Sequence, residues 1–249
     1  MAGGSKHRGG VSLSWLDDFV AATECPKEDR VLEMLWSRGV TDEQIALFRI
    51  GYLNRDLPAL DYPRDFLEWS QGGRKLDDMC VLPLTNALGT IKGIQFRHVD
   101  RDRKGYTDFI VDKGEAVLFG LGQAMTHVWR TGKVYLVEGG FDLFPIQRIF
   151  PGVVATLTAG VSPPLWRVLW RLCWKIWMGY DMDRAGQEAS FAFAKQHGRE
   201  LKVSIMSYPK VPMLGPKPRL TKDPGELWEA WGEARFQAHL KSILFNGLE

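Results

Sequence analysis

Two strand-like runs end in carboxylates. Lys133-Val134-Tyr135-Leu136-Val137 leads into Glu138-Gly139-Gly140-Phe141-Asp142, and Lys175-Ile176-Trp177-Met178-Gly179-Tyr180 leads into Asp181-Met182-Asp183-Arg184-Ala185-Gly186. In an extended stretch residues two apart share a side, so Asp181 and Asp183 point the same way, and Glu138 faces them if the two strands are neighbours. Three carboxylates beyond a sheet form a hard oxygen cage that suits Mg²⁺ or Mn²⁺ and repels anions unless a cation sits between. Asp142, one helical turn past Glu138, and Asp223 in Lys222-Asp223-Pro224-Gly225-Glu226 are candidate fourth and fifth acids. Taken singly, each acid also reads as a helix N-cap or a solvated loop residue. No zinc is expected: Cys25, Cys80 and Cys173 are far apart and form no Cys-x-x-Cys pair.

A second set of residues has phosphate chemistry. Between Lys92 and Lys104 stand Lys92, Arg97, Arg101, Arg103 and Lys104 against Asp100 and Asp102. Basic side chains on a hairpin suit phosphate contacts, and a merely solvated hairpin is the alternative.

The elements that must position these residues follow from pattern. After Gly132 the chain alternates strand Val134–Glu138, helix Asp142–Phe150, strand Val153–Leu157, helix Leu165–Leu172, strand Lys175–Tyr180, helix Arg184–His197 and strand Lys202–Ser207. Such alternation predicts a parallel sheet covered on both faces, with ligands beyond the carboxyl ends of its strands. Leu165, Val168, Leu169 and Leu172 fall at i, i+3, i+4, i+7, one apolar face for that sheet. From Ser12 to about Ser70 the pattern is helical, with a capping box at Thr41-Asp42-Glu43-Gln44. Met79–Thr85 and Thr90–His98 read as a hairpin joined by Asn86-Ala87-Leu88-Gly89, and Pro83 argues against a long central strand. Tyr208–Lys222 is a Pro-rich basic loop, followed by helices over Glu226–Trp231 and Glu233–Phe245.

The fold class expected is α/β: a flexible Gly-rich tail over 1–11, an α+β subdomain over 12–130, a parallel-sheet catalytic domain over 131–209, and a basic loop with terminal helices over 210–249. The 249 residues are 45% hydrophobic and 25% charged, enough for a sizeable core. A net charge of +2 neither demands nor excludes a polyanion partner, so a nucleic-acid surface must be a local patch. The three cysteines fit no disulfide framework, which points to a reducing compartment. No stretch reaches the ~18 apolar residues of a spanning helix, so no membrane role is expected. Of ten tryptophans, Trp166, Trp170, Trp174 and Trp177 crowd one segment, as core and lid packing or as an aromatic surface for bases.

Val-Glu-Gly-Gly-Phe-Asp at 137–142 followed by Tyr-Asp-Met-Asp-Arg-Ala-Gly at 180–186 resembles the Glu and Asp-x-Asp signature of the Toprim domain. Upstream, Phe48-Arg49-Ile50-Gly51-Tyr52, Val81-Leu82-Pro83-Leu84, Thr90-Ile91-Lys92-Gly93, Phe96-Arg97, Lys104-Gly105-Tyr106-Thr107 and Leu118-Phe119-Gly120-Leu121 recur in the order of the polymerase core of DnaG-type bacterial and phage primases. The resemblance spans roughly Val31 to Trp231.

It implies a DNA primase core: a nucleotidyltransferase joining nucleoside triphosphates on a single-stranded DNA template. Glu138, Asp181 and Asp183 take the catalytic and metal-binding roles, with Asp142 and Asp223 as supporting acids around two or more Mg²⁺ or Mn²⁺ ions. Lys92, Arg97, Arg101, Arg103, Lys104, Tyr106 and Arg184 would contact template or nucleotide. A replicative helicase or other replisome protein is the implied partner in trans, in the cytoplasm or nucleoid of a bacterial host, in a phage or mobile-element setting. Three departures stand out. Gly225 replaces a family Asp, Asp77-Asp78 precede the hairpin where the family tends to be basic, and there is no Cys/His cluster, helicase-binding bundle or Gly-x4-Gly-Lys-Ser/Thr loop. The alternatives are a Toprim nuclease, which would use the same acids on water, and a non-catalytic nucleic-acid-binding or replisome subunit.

Overall fold

The computed structural model describes residues 14–245 apart from 25, 74, 101–102, 104–105, 113, 159 and 214–218. The expected tail over 1–11, together with Arg101 and Lys104, lies outside the described residues. The chain runs α1 (Ser14–Thr23), α2 (Asp29–Ser37), α3 (Asp42–Leu47), β1 (Gly51–Leu53), α4 (Arg64–Gln71), β2 (Met79–Thr85), β3 (Ile91–His98), β4 (Tyr106–Ile110) and α5 (Leu121–Thr131). It continues with β5 (Lys133–Val137), α6 (Leu143–Gln147), β6 (Val153–Ala155), α7 (Pro163–Leu172), β7 (Lys175–Gly179), α8 (Arg184–His197), β8 (Lys202–Ile205), β9 (Pro212–Met213), β10 (Arg219–Leu220), α9 (Pro224–Trp231) and α10 (Glu233–Phe245). The mixed α/β class expected from the pattern is the class found.

The first sheet is antiparallel, in the order β1-β2-β3-β4. β2 is buried along its whole length because its two faces serve different cores. Met79 and Val81 pack with Phe19, Phe66 and Phe96 under α1 and α4, whereas Cys80, Leu82 and Leu84 point into a cluster that includes Tyr135 and Val137 of β5. One apolar core therefore runs from the first sheet to the second. Leu118 and Phe119 stitch the two together: Thr85 and Leu118 exchange backbone hydrogen bonds of 3.0 Å, and Ala155 N donates to Phe119 O at 3.1 Å. The Leu-Phe-Gly-Leu run is thus a seam, and Gly120, at φ +81°, turns it into α5.

Two expectations for this half need correction. The supposedly all-helical stretch to Ser70 contains β1, and Gly51, Tyr52 and Leu53 lie opposite Val81, Cys80 and Met79. Three residues are too few to show a period in sequence; only the pairing makes them a strand. Pro83 does lie inside a seven-residue central strand. β1 covers only Met79–Val81, so on that side Pro83 stands on a free edge where it withholds no ladder bond. The hairpin region has a third strand, β4, and is followed by α5, whose buried Leu121, Ala124, Met125 and Val128 stand at i, i+3, i+4, i+7, the period of an amphipathic helix.

The second sheet is parallel, in the order β6-β5-β7-β8, as the alternation requires. β5, β6 and β7 are buried on both faces, whereas the edge strand β8 is only partly buried. Tyr135, Val137, Val153, Ala155 and Trp177 face α6, α9 and α10, while Val134, Leu136, Val154, Ile176 and Met178 face Leu165, Leu169 and Phe193 of α7 and α8. The Thr41 capping box forms: Thr41 Oγ1 accepts from Gln44 N at 3.2 Å and Gln44 Oε1 accepts from Thr41 N at 3.1 Å. Gln44 Nε2 meanwhile donates to Phe144 O at 3.0 Å, tying α3 to α6. In the tryptophan-rich segment Trp177 is buried and Trp166 stacks on His197 at 3.6 Å, whereas Trp170 and Trp174 are exposed. Among the described residues no helix is long and apolar enough to cross a membrane.

Candidate active site

β5 and β7 are hydrogen-bonded neighbours, so the segments that leave their carboxyl ends emerge side by side. Glu138 follows β5, and Asp181 follows β7 by two residues. Asp142 closes a 3-10 turn, Gly140–Asp142, and accepts from Gly139 N at 3.2 Å. Asp223 arrives from the far end of the chain because Met182 N donates to Lys222 O at 2.6 Å, fixing the loop before α9 against the loop after β7.

Asp142, Asp181 and Asp223 each bring a carboxylate oxygen within 4.8 Å of the other two. Asp181 and Asp223 are buried. Glu138 and Asp183 stand beside this triad, close enough to act on it through charge. Burial first, then Asp181 and Asp183, pushes the Glu138 carboxyl up to about 7. Burial, then Asp223 and Asp181, holds Asp142 well above the ordinary carboxylate range. Asp223 is pushed up to about 6, again by burial first and then by Glu226. Asp181 is raised by burial, against the pull of Lys222.

Several acids also have structural duties. Asp183, exposed, caps α8 by accepting from Gly186 N at 3.0 Å, and Asp223 caps α9 by accepting from Glu226 N at 2.7 Å. Capping and site formation are compatible, because each cap uses one carboxylate oxygen. Gly186 has a steric reason: a Cβ there would lie 2.4 Å from Asp181 O, so the first turn of α8 can sit over the Asp181 backbone only without a side chain. At Gly225 a Cβ would come within 2.7 Å of Asp142 Oδ1, so a side chain there would crowd the Asp142 carboxylate.

The donor set fits a hard divalent cation. It is all carboxylate, and Glu138 Oε2 is buried without a hydrogen-bond partner among the described residues. Lys222 is the residue that sequence reasoning missed. Its ammonium donates to Asp181 Oδ2 and lies 3.8 Å from Asp223 Oδ2, inside the acidic cluster. Burial opposes its charge, but the hydrogen bond and charge of Asp181 outweigh this and raise its pKa. The only signal in sequence was its adjacency to Asp223.

The basic residues expected to meet phosphate are less uniform. Arg97 projects from β3 between Cys80 and Tyr106, and Tyr106 is exposed on β4. Lys92 approaches Glu115 at 4.0 Å, Arg184 pairs with Glu188 at 2.7 Å, and Arg103 lies 3.7 Å from Asp77 and 3.9 Å from Asp100. Asp78 is bound by Arg30 at 2.5 Å and by the Tyr52 hydroxyl at 3.0 Å. Both acids that precede the hairpin thus have cationic neighbours.

An antiparallel sheet sharing its core with a parallel sheet, with acids gathered beyond β5 and β7, is the fold of DnaG-type primase catalytic cores. The Escherichia coli primase catalytic core superposes with a TM-score of 0.70 at 21% identity, over 96% of this chain and 84% of that one. A DnaG primase catalytic domain bound to single-stranded DNA superposes with a TM-score of 0.66 at 19% identity, over 94% and 81%. In sequence, the chain is 28% identical over 202 residues to the DNA primase of Deinococcus radiodurans, which covers 72% of this chain and 35% of that protein. The chain spans 30–40% of the length of the curated primases it matches. No family model matches it.

Proposed function

We propose that this chain is the catalytic core of a DNA primase, a metal-dependent nucleotidyltransferase that joins nucleoside triphosphates on a single-stranded DNA template. The observation that carries this reading is the all-carboxylate cluster of Asp142, Asp181 and Asp223, with the orphaned Glu138 oxygen beside it, beyond adjacent parallel strands in a primase-core fold. Glu138, Asp181 and Asp183 would hold Mg²⁺ or Mn²⁺, two or more ions in all, with Asp142 and Asp223 completing the cage. Bound there, such ions neutralise a triphosphate and lower the pKa of an attacking 3′-hydroxyl. The chain's own part is positional. Asp183 and Asp223 anchor two helix starts that fix the cage, and Arg97, Lys92, Arg103, Tyr106 and Arg184, with Arg101 and Lys104, would hold template or nucleotide phosphates. The shared fold with a DnaG primase catalytic domain bound to single-stranded DNA supports a single strand as the ligand. We place the parallel-sheet catalytic unit at 131–209 and the α+β unit at 12–130. The setting is a replisome in a bacterial or phage-infected cytoplasm, with a helicase or other replisome protein in trans.

The test is incubation with single-stranded DNA, labelled nucleotides and Mg²⁺ or Mn²⁺, followed by sizing of products. Oligonucleotide synthesis that falls at least a hundredfold in Asp181→Ala and Asp183→Ala is expected. Template degradation would identify a nuclease, and binding without chemistry a structural subunit; either overturns the proposal.

A further inference from the structure

The opposite end of the parallel sheet carries a pocket of the other sign. β5, β7 and β8 each begin with lysine, and the three are in register: Lys133 lies opposite Lys175, and Lys175 opposite Lys202. Parallel neighbours in register project to the same side, and strands lie ~4.8 Å apart, so three ammonium stems rise from a row roughly 10 Å long. They line a cavity of about 240 Å³ together with Trp174, Trp177 and Ser204, with Ile243 and Leu244 of α10 also in the lining.

No described carboxylate balances this charge. Among the described residues none of the three lysines has a carboxylate within ion-pair distance, although Lys175 is only 6% exposed and its ammonium has just the Ser204 hydroxyl as an acceptor. Burying a cation without a counter-charge is costly, and lining up three adds mutual repulsion. Burial, then Lys202 and Lys133, lowers the Lys175 pKa accordingly. An arrangement of this kind is complete when a ligand supplies the negative charge. The walls are aromatic as well. Lys133 Nζ sits 5.3 Å over the Trp174 ring and Lys175 Nζ 5.1 Å over the Trp177 ring, and Trp174, half exposed, is held by a 2.8 Å bond from Nε1 to Thr131 O.

We propose that this pocket binds the phosphates of a nucleoside di- or triphosphate, with the three lysines on the oligophosphate and the exposed indole of Trp174 against the base. The volume of about 240 Å³ suits a compact group such as an oligophosphate better than a strand, whose backbone needs an extended groove. Lys175 and Asp181 are six residues apart along an extended segment, roughly 20 Å, so one nucleotide cannot fill this pocket and the acidic cluster together.

The test uses the full chain in EDTA, which removes metal-dependent nucleotide binding at the acidic end. ATP, tripolyphosphate and a short oligothymidylate are titrated against intrinsic tryptophan fluorescence and melting temperature. ATP and tripolyphosphate are expected to bind, ATP the more tightly. The Lys133→Ala/Lys202→Ala double variant should weaken both at least tenfold, with an unchanged far-ultraviolet spectrum, and Asp181→Asn should bind them as the unaltered chain does. Trp174→Phe should narrow the preference for ATP over tripolyphosphate. Should the double variant fold poorly, Lys202→Ala alone, at an exposed strand start, should still weaken ATP threefold or more. The proposal is overturned if the unaltered chain binds neither compound in EDTA, if the lysine variants bind equally well, if binding is lost in Asp181→Asn instead, or if only the oligothymidylate responds to the lysine changes.

Discussion

Lys222 donates its ammonium to Asp181, a residue 41 positions earlier in the chain, and in doing so places a protein cation among acids that fit a metal. The same ammonium is 3.8 Å from Asp223, so in the metal-free protein it is the positive charge that lets two buried carboxylates approach each other.

A divalent ion entering the cluster must compete with that ammonium. Lys222→Met should therefore raise affinity for Mn²⁺ by about tenfold while lowering metal-free stability, because Asp181 and Asp223 lose their partner. Electron paramagnetic resonance titration of free Mn²⁺, paired with chemical denaturation in EDTA, reads both effects. An unchanged Mn²⁺ affinity would mean that Lys222 leaves the cluster without cost.

Gly225 gives the complementary experiment. Gly225→Asp adds a further carboxylate beside Asp142, and metal-free stability should fall by about 1–3 kcal/mol, with saturating Mg²⁺ restoring more in the variant than in the unaltered chain. Gly225→Ala is the control: the crowding of Asp142 and the gain of about 1 kcal/mol in helix propensity oppose each other, so the net change should stay below about 1 kcal/mol. Equal losses in the two variants would assign the effect to crowding alone.

The raised carboxyl groups set a pH dependence. Glu138 titrates near 4.5 when unfolded and about 7 when folded, so between these values the folded chain holds the proton that the unfolded chain has released. Folding then becomes less favourable as pH rises through that window, and Asp142, Asp181 and Asp223 act in the same direction. Metal-free melting temperature should fall between about pH 5 and 7. Glu138→Gln should flatten the upper part of that fall, and saturating Mg²⁺ should abolish most of it. A melting temperature that climbs across this range in EDTA would contradict the burial of these acids.

For nucleic acid, Arg97 and Arg103 should behave differently. Arg97→Ala should reduce the slope of log affinity against log salt on a single strand by about 0.7, the value of one phosphate contact. Arg103, shared between Asp77 and Asp100, should give a smaller change. Equal slopes for both variants and the unaltered chain would remove the hairpin from the binding surface.

The parallel sheet was legible because apolar runs alternate with helix-length segments; that β5 and β7 are neighbours was not, since β6 lies between them in the chain and pairs with the other edge of β5. The acids that such a sheet presents were legible as types in places. Their grouping was not, since the approach of Asp223 depends on the Met182–Lys222 backbone bond, a contact between loops with no local pattern. Pro83 misled for a related reason: the length of a neighbouring strand decides whether a proline is on an edge, and β1 is too short to be seen in sequence. Lys222 looked like part of a basic loop because spacing along the chain says nothing about which acid a long side chain will reach.

The seating of α9 against α6 has a temporal consequence. A polypeptide made from its amino terminus exposes Glu138, Asp142 and Asp181 while Asp223, Lys222 and the helix that Asp223 caps are still to be synthesised. During that interval the acids have neither their last carboxylate nor their resident ammonium. The carboxylate cluster is therefore assembled late in biosynthesis, when α9 docks, and a nascent chain halted after β8 would carry both sheets without the complete set of acids.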